Sequence, residues 1–208
     1  TLMRSSAASD VYKRQILYVG SDKDPEEESF DREIDCENNL LMPGFKNAHT
    51  HSAMTFLRSF ADDLPLQEWL YNRVFPMEAK LTKEDQVELA KLGMMEYLTS
   101  GITANFDMYL DNTCHATLQK VVKKDASAMD ASLVLQMATT GGAKAMGLDE
   151  CDVLAPGKKA DLIMINMHRP NMQPENNIAK NIVYSGSKEN IKMTMIDGKI
   201  LHEDGQFF

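Results

Sequence analysis

The sequence predicts an α/β protein. Three observations carry that expectation. Both ends of the chain read as β-structure, the middle alternates helix with strand, and an Asp-Gly dipeptide joins two apolar runs near the C-terminus. The 208 residues include 31 acidic and 22 basic side chains, a formal charge of −9, with 43% apolar and 25% charged residues. This composition is too apolar for a disordered chain and too acidic for a nucleic-acid binder, and the length suffices to bury a core. No apolar run approaches the roughly 20 residues of a membrane span. Cys36, Cys114 and Cys151 are widely spaced, with no Cys-x-x-Cys, so neither a disulfide framework nor a thiolate zinc site is indicated. A reducing, cytoplasmic setting follows as the expectation. The fifteen methionines read as adaptable core filler.

Residues 1–15 differ in character from the rest and are expected to be a non-native leader. Residues 16–20 read as a strand ended by glycine, and 21–32 as an acidic solvated loop. Residues 33–39 and 40–42 are further strand pieces, closed by Pro43-Gly44. A helix is predicted over 81–101, with Thr82 as N-cap, Asp85 in capping-box position and Gly101 as the stop. Val87, Ala90, Met94 and Leu98 recur on it at helical spacing. Residues 102–109 return to strand character. A second helical stretch spans 131–145, with Asp130 as cap and Gly147 as stop. Inside it, Gly141-Gly142 marks either a break or a close packing contact. Residues 160–166 read as a buried strand and 167–181 as loop. Residues 191–196 and 199–202, joined by Asp197-Gly198, form a hairpin signal.

The sharpest feature is Pro43-Gly44-Phe45-Lys46-Asn47-Ala48-His49-Thr50-His51. Side chains at i and i+2 of a strand share one face, so both imidazoles can reach one divalent cation. They cannot complete its coordination, and a chance surface pair is the alternative.

That stretch resembles the first-strand signature of the amidohydrolase superfamily. Residues 55–70 are more specific and resemble the 5′-methylthioadenosine and S-adenosylhomocysteine deaminases of its chlorohydrolase-like branch. Residues 75–78, 100–109, 137–148 and 156–163 continue the match. The resemblance implies a partial (β/α)₈ TIM-type barrel, over residues 44–159, plus a small β-sandwich formed by both chain ends, over 16–43 and 160–208. It implies His49 and His51 as metal ligands and Glu78 as the carboxylate that takes the substrate's ribose hydroxyls. A solvated helix or loop residue is the plain alternative for Glu78. Trp69 and Phe75 are candidates for apolar pocket walls or ordinary core. The cofactor implied is a divalent metal, zinc with iron as the alternative. The reaction implied is hydrolytic deamination, in which metal-activated water attacks C6 of an adenine nucleoside and ammonia leaves. Related branches act on guanine or chlorotriazines.

The rest of the family machinery is missing. The family needs a third metal histidine, a proton-transferring glutamate, a ring-polarising histidine and a basic aspartate. The remaining histidines are His115, His168 and His202. His115 lacks the family context, while His168 and His202 are expected at the surface. Asp107 belongs to the second-strand motif and does not fill the aspartate role. Between Gly44 and Asp161 lie 116 residues, enough for three or four βαβ-sized units of about 30 residues rather than eight. An internal deletion near 108–116 is therefore expected. The chain reads as a deaminase by lineage and as inactive in this form. The competing readings are an active enzyme that borrows ligands from another chain, and a non-catalytic deletion product or assembly artefact. The expected partner is a small-molecule nucleoside, with no nucleic acid and no membrane, and exposed strand edges predict self-association.

Overall fold

The computed structural model describes residues 7–12, 14–21, 32–60, 63–107 and 130–208. The expected junction near 108–116, with Cys114 and His115, lies outside the described residues, as does most of the acidic loop. The fold is α/β. Strand β1 (Ala7–Tyr12) pairs antiparallel with β2 (Gln15–Ser21). β2 is tied to the far end of the chain. Ile16 N donates to Lys158 O at 2.9 Å, and Gly157 N donates to Ile16 O at 2.8 Å.

A five-stranded sheet gathers residues from both sides of the helical middle. Its order is β3 (Leu40–Pro43), β6 (Leu162–Ile165), β7 (Ile191–Ile196), β8 (Lys199–Glu203) and β9 (Gln206–Phe207), with every pair antiparallel. β6 is buried along its whole length because its two faces serve two cores. Leu162 and Met164 pack with Ile16, Leu154, Ala160 and Met193. Ile163 and Ile165 pack with Leu40, Met42, Met167, Met172 and Ile191. The β7–β8 turn has the expected chemistry: Asp197 and Gly198 take φ of 52° and 76°, the left-handed pair that a tight hairpin requires.

Two expectations about this sheet are corrected. Residues 33–39 form no strand, because Glu37 and Asn38 both take positive φ, of 48° and 61°, in a turn. Asp35 Oδ1 accepts the Glu37 N–H at 2.8 Å and stabilises that turn. His202, expected at the surface, is only 3% exposed, with its ring 5.5 Å from that of Phe207. As expected, His168 is exposed, and its Nε2 meets Glu37 O at 2.7 Å.

The remaining strands form a parallel pair, β4 (Phe45–Thr50) and β5 (Ile102–Asp107). Parallel neighbours need a crossover. Between them run a 3₁₀ turn (Ser52–Leu57), the short helices α1 (Leu66–Trp69) and α2 (Phe75–Glu78) joined by a π turn, and the long helix α3 (Lys83–Thr99). The capping box of α3 is complete: Asp85 N donates to Thr82 Oγ1 at 3.1 Å, and Thr82 N donates to Asp85 Oδ2 at 2.9 Å. Gly101, at φ +73°, turns the chain from α3 into β5.

The inward face of α3 differs from the expected one. Gly93 is its buried residue, while Val87 and Met94 are each 52% exposed. Close approach at Gly93 rotates the helix, so the Val87–Met94 stripe lies beside the contact rather than in it. At its end α3 is tied to the sheet by Thr194 Oγ1, which donates to Leu98 O at 2.7 Å. After residue 130, α4 (Ala131–Gln136), a π turn (Met137–Gly141) and α5 (Gly142–Ala145) run on without a break. The glycine pair is therefore a packing contact. A Cβ on Gly142 would lie 2.8 Å from both Lys46 Cβ and Lys46 O. Among the described residues no helix is long and apolar enough to cross a membrane.

Two outcomes are expected. Gly142→Ala gains about 1 kcal/mol of helix propensity but forces a backbone clash costing about 1–3 kcal/mol, so net destabilisation in urea is expected. Burial pushes the His202 imidazole below its ordinary value, with Asp204 opposing. The unfolded chain then binds this proton at about pH 6.5 while the folded chain resists it, so stability is lost as pH falls through that range. The urea midpoint of His202→Phe should fall less between about pH 7.5 and 5.5 than that of the parent chain.

Candidate functional site

His49 lies near the C-terminal end of β4, and His51 follows one residue past it in extended backbone, at φ −132° and ψ 81°. The i, i+2 spacing brings the two imidazoles together as expected. Their ring centroids are 5.3 Å apart, with planes at 72°. His49 Nε2 is buried and has no hydrogen-bond partner among the described residues. An orphaned buried nitrogen is costly unless a water or ion completes it. The donor set therefore suits an imidazole-binding cation, and it supplies two ligands. Among the described residues no third His, Cys, Asp or Glu joins them in a group able to hold a metal.

The loop that carries His51 is held from α3 and β5. Tyr97 OH meets Thr50 Oγ1 at 2.5 Å and Ser52 Oγ at 3.0 Å, bracketing His51 on both sides. Asp107, at the end of β5, accepts the Ser52 N–H through Oδ1 at 3.3 Å. Thr55 Oγ1 donates to Leu89 O at 3.1 Å. Gly93 completes the seat, since a Cβ there would come within 2.8 Å of Ser52 O. Asn47 Oδ1 accepts the His49 N–H at 3.3 Å.

Sequence reasoning does not single out Tyr97. Its only signal is the Leu89, Gly93, Tyr97 spacing, which defines the inward face once Gly93 is recognised as a contact. Both histidines and Asp107 cluster at the C-terminal ends of parallel strands, the end where barrel enzymes place their chemistry.

The other candidates lie on the crossover between β4 and α3. Glu78 is a half-buried carboxylate at the end of α2. Trp69 is half-buried. Phe75 is 46% exposed, with its ring edge-on to Tyr71 at 5.4 Å, so it is no wall of an enclosed pocket. A cavity of about 260 Å³ lies between Phe45, Ile165, Met172, Ile182 and Ile191, away from both histidines. Cys36 and Cys151 are free thiols, and burial pushes both above the ordinary thiol range, so neither is an activated nucleophile.

The sequence pattern of the amidohydrolase family matches residues 40–118 and 109–201. A 5-methylthioadenosine/S-adenosylhomocysteine deaminase of Syntrophomonas wolfei is 53% identical over 100 residues, covering 48% of this chain and 22% of that protein. A 5′-deoxyadenosine deaminase of Methanosarcina barkeri is 44% identical over 108 residues, covering 51% of this chain and 23% of that protein. The chain thus spans between a fifth and a quarter of the length of these relatives. Among solved structures, an adenosine deaminase from Xanthomonas campestris with bound zinc superposes with a TM-score of 0.88 at 17% identity, over 98% of this chain and 90% of that one. That likeness speaks to the fold. With the family pattern matched across most of its length, the chain belongs to the amidohydrolase family.

Proposed function

We propose that the chain derives from a metal-dependent hydrolytic deaminase of adenine nucleosides, and that in this form it keeps half of a metal centre without the catalytic groups. The observation that carries the reading is the His49–His51 pair, with rings 5.3 Å apart and a buried, unpartnered Nε2 on His49. The names of the relatives, all deaminases of adenine nucleosides, support the substrate class. Zinc suits two imidazoles, and a zinc-bearing structure of the same fold supports that choice.

In this reading His49 offers Nε2 and His51 the second imidazole, while Tyr97 and Asp107 hold the segment that carries His51. When bound, the ion supplies Lewis-acid activation of water. Glu78 is assigned to the ribose hydroxyls, a role its half-buried carboxylate suits. The architecture proposed is a partial (β/α)₈ barrel, to which β4, α3 and β5 belong, beside a small sandwich formed by the chain ends. Two features support inactivity. No third ligand joins the histidines among the described residues, and the family pattern matches in two pieces that meet near 109–118, as an excised centre would leave it.

Zinc titration of the purified chain tests the proposal, with ammonia release from methylthioadenosine followed in parallel. The expected result is weak zinc binding, abolished in His49→Ala/His51→Ala, with no ammonia. Binding unaffected by the double substitution would remove the histidines from the metal role. One tight equivalent of zinc together with ammonia release would overturn the inactive reading. A Glu78→Gln variant of a full-length relative should lose about 10-fold or more in kcat/KM for the nucleoside, as loss of a charged hydrogen-bond partner predicts.

A further inference from the structure

Lys46 is a charged side chain buried in β4, on the sequence motif that carries the histidines yet outside their site. Its Nζ lies 3.4 Å from Asp161 Oδ2 and donates to Thr103 Oγ1 at 2.5 Å. The two charged side chains are 0% and 7% exposed. Asp161 has further partners. Its Oδ1 accepts the Asp197 N–H at 2.8 Å, and its backbone carbonyl accepts the Gly44 N–H at 3.0 Å. One residue therefore joins β4, the Gly44 corner before it and the β7–β8 turn, and Lys46 extends the link to β5 through Thr103.

A buried ion pair is weak evidence for stability, because apolar replacements are often as stable or more so. Its best-attested use is to fix registry. Here registry has a consequence. The His49 and His51 rings meet 5.3 Å apart, whereas the Lys46 ammonium, three residues earlier, turns to Asp161 and Thr103. A one-residue slip of the strand would carry both imidazoles away from their site and the Lys46 ammonium away from Asp161 and Thr103. The β4–β5 ladder is irregular on both sides of this stretch, with register shifts between Phe45 and Lys46 and again between Asn47 and Thr50, and the ion pair between them adds a fixed point.

We propose that the Lys46–Asp161 pair is the register lock of β4, a positioning pair that keeps both histidines on one face. Its consequence for metal binding rests on the half-site reading above, whereas its consequence for the strand does not.

The test is amide hydrogen exchange by NMR on the whole chain, parent against Lys46→Met/Asp161→Asn, which removes both charges and keeps an acceptor for Asp197 N. The expected result is an about tenfold or greater loss of protection confined to residues 46–50, with β6 and β7 unchanged. Zinc affinity should fall about 10–100-fold, as for lost outer support of a metal ligand. Parental protection across 46–50 overturns the lock, whatever zinc does. Protection lost equally from β6 and β7 also overturns it, since the pair would then be a general structural element. If the parent chain binds no zinc while protection falls only at 46–50, the lock stands and the half-site reading fails.

Discussion

The structure depends on β6 being apolar on both faces. Most strands in an antiparallel sheet have one face to bury. This one runs Leu162-Ile163-Met164-Ile165 and is enclosed on both sides. One face gathers β2 and the segment around Leu154, and the other gathers β3, Met167, Met172, Phe45 of β4 and Leu135 of α4. Residues separated by more than a hundred positions in the chain meet here. At roughly 25 cal/mol per Å² of apolar surface removed from water, such a strand outweighs any one polar contact in the molecule.

The histidine pair hangs from that strand by short steps. Asp161 immediately precedes β6 and holds Gly44 and Lys46; β4 carries His49, and the 3₁₀ turn after His51 rests against α3 through Gly93 and Tyr97. Helix α3 is fastened in turn to β7 by Thr194. The site is thus suspended between two anchors in the five-stranded sheet. The cover thins toward the end of β5, where Phe106 is more than half exposed.

Much of this was legible in the sequence where local chemistry decides the outcome. Thr82 and Asp85 sit next to each other in the chain, and their reciprocal bonds depend on little else. Asp197-Gly198 specifies a turn because few other residues tolerate two positive φ values in succession. The His49–His51 proximity follows from the i, i+2 spacing in extended backbone, which persists although His51 lies just past the strand. The failures arose where tertiary contact decides. The Val87–Met94 stripe has correct helical spacing, yet α3 turned to the side that a glycine lets approach. His202 reads as a polar hairpin residue, but its neighbours Phe207 and Thr194 cover it. Residues 33–39 have strand-like composition, and the turn at Glu37-Asn38 overrides it. Tyr97 carries no local signal because its partners, Thr50 and Ser52, are more than forty positions away.

Gly93 shows how the placement of a histidine can rest on a residue without a side chain. It has no side chain and makes no hydrogen bond to either histidine, yet the backbone of Ser52 occupies the space its Cβ would need. A lineage that depends on His51 is therefore constrained at position 93, nearly three turns into α3 and with no reactive group of its own. Across descendants of such a fold, tolerance to substitution would be lowest at a residue that a search for acids, bases and ligands passes over. What that position sets is the distance between a helix and a loop, not any reacting group.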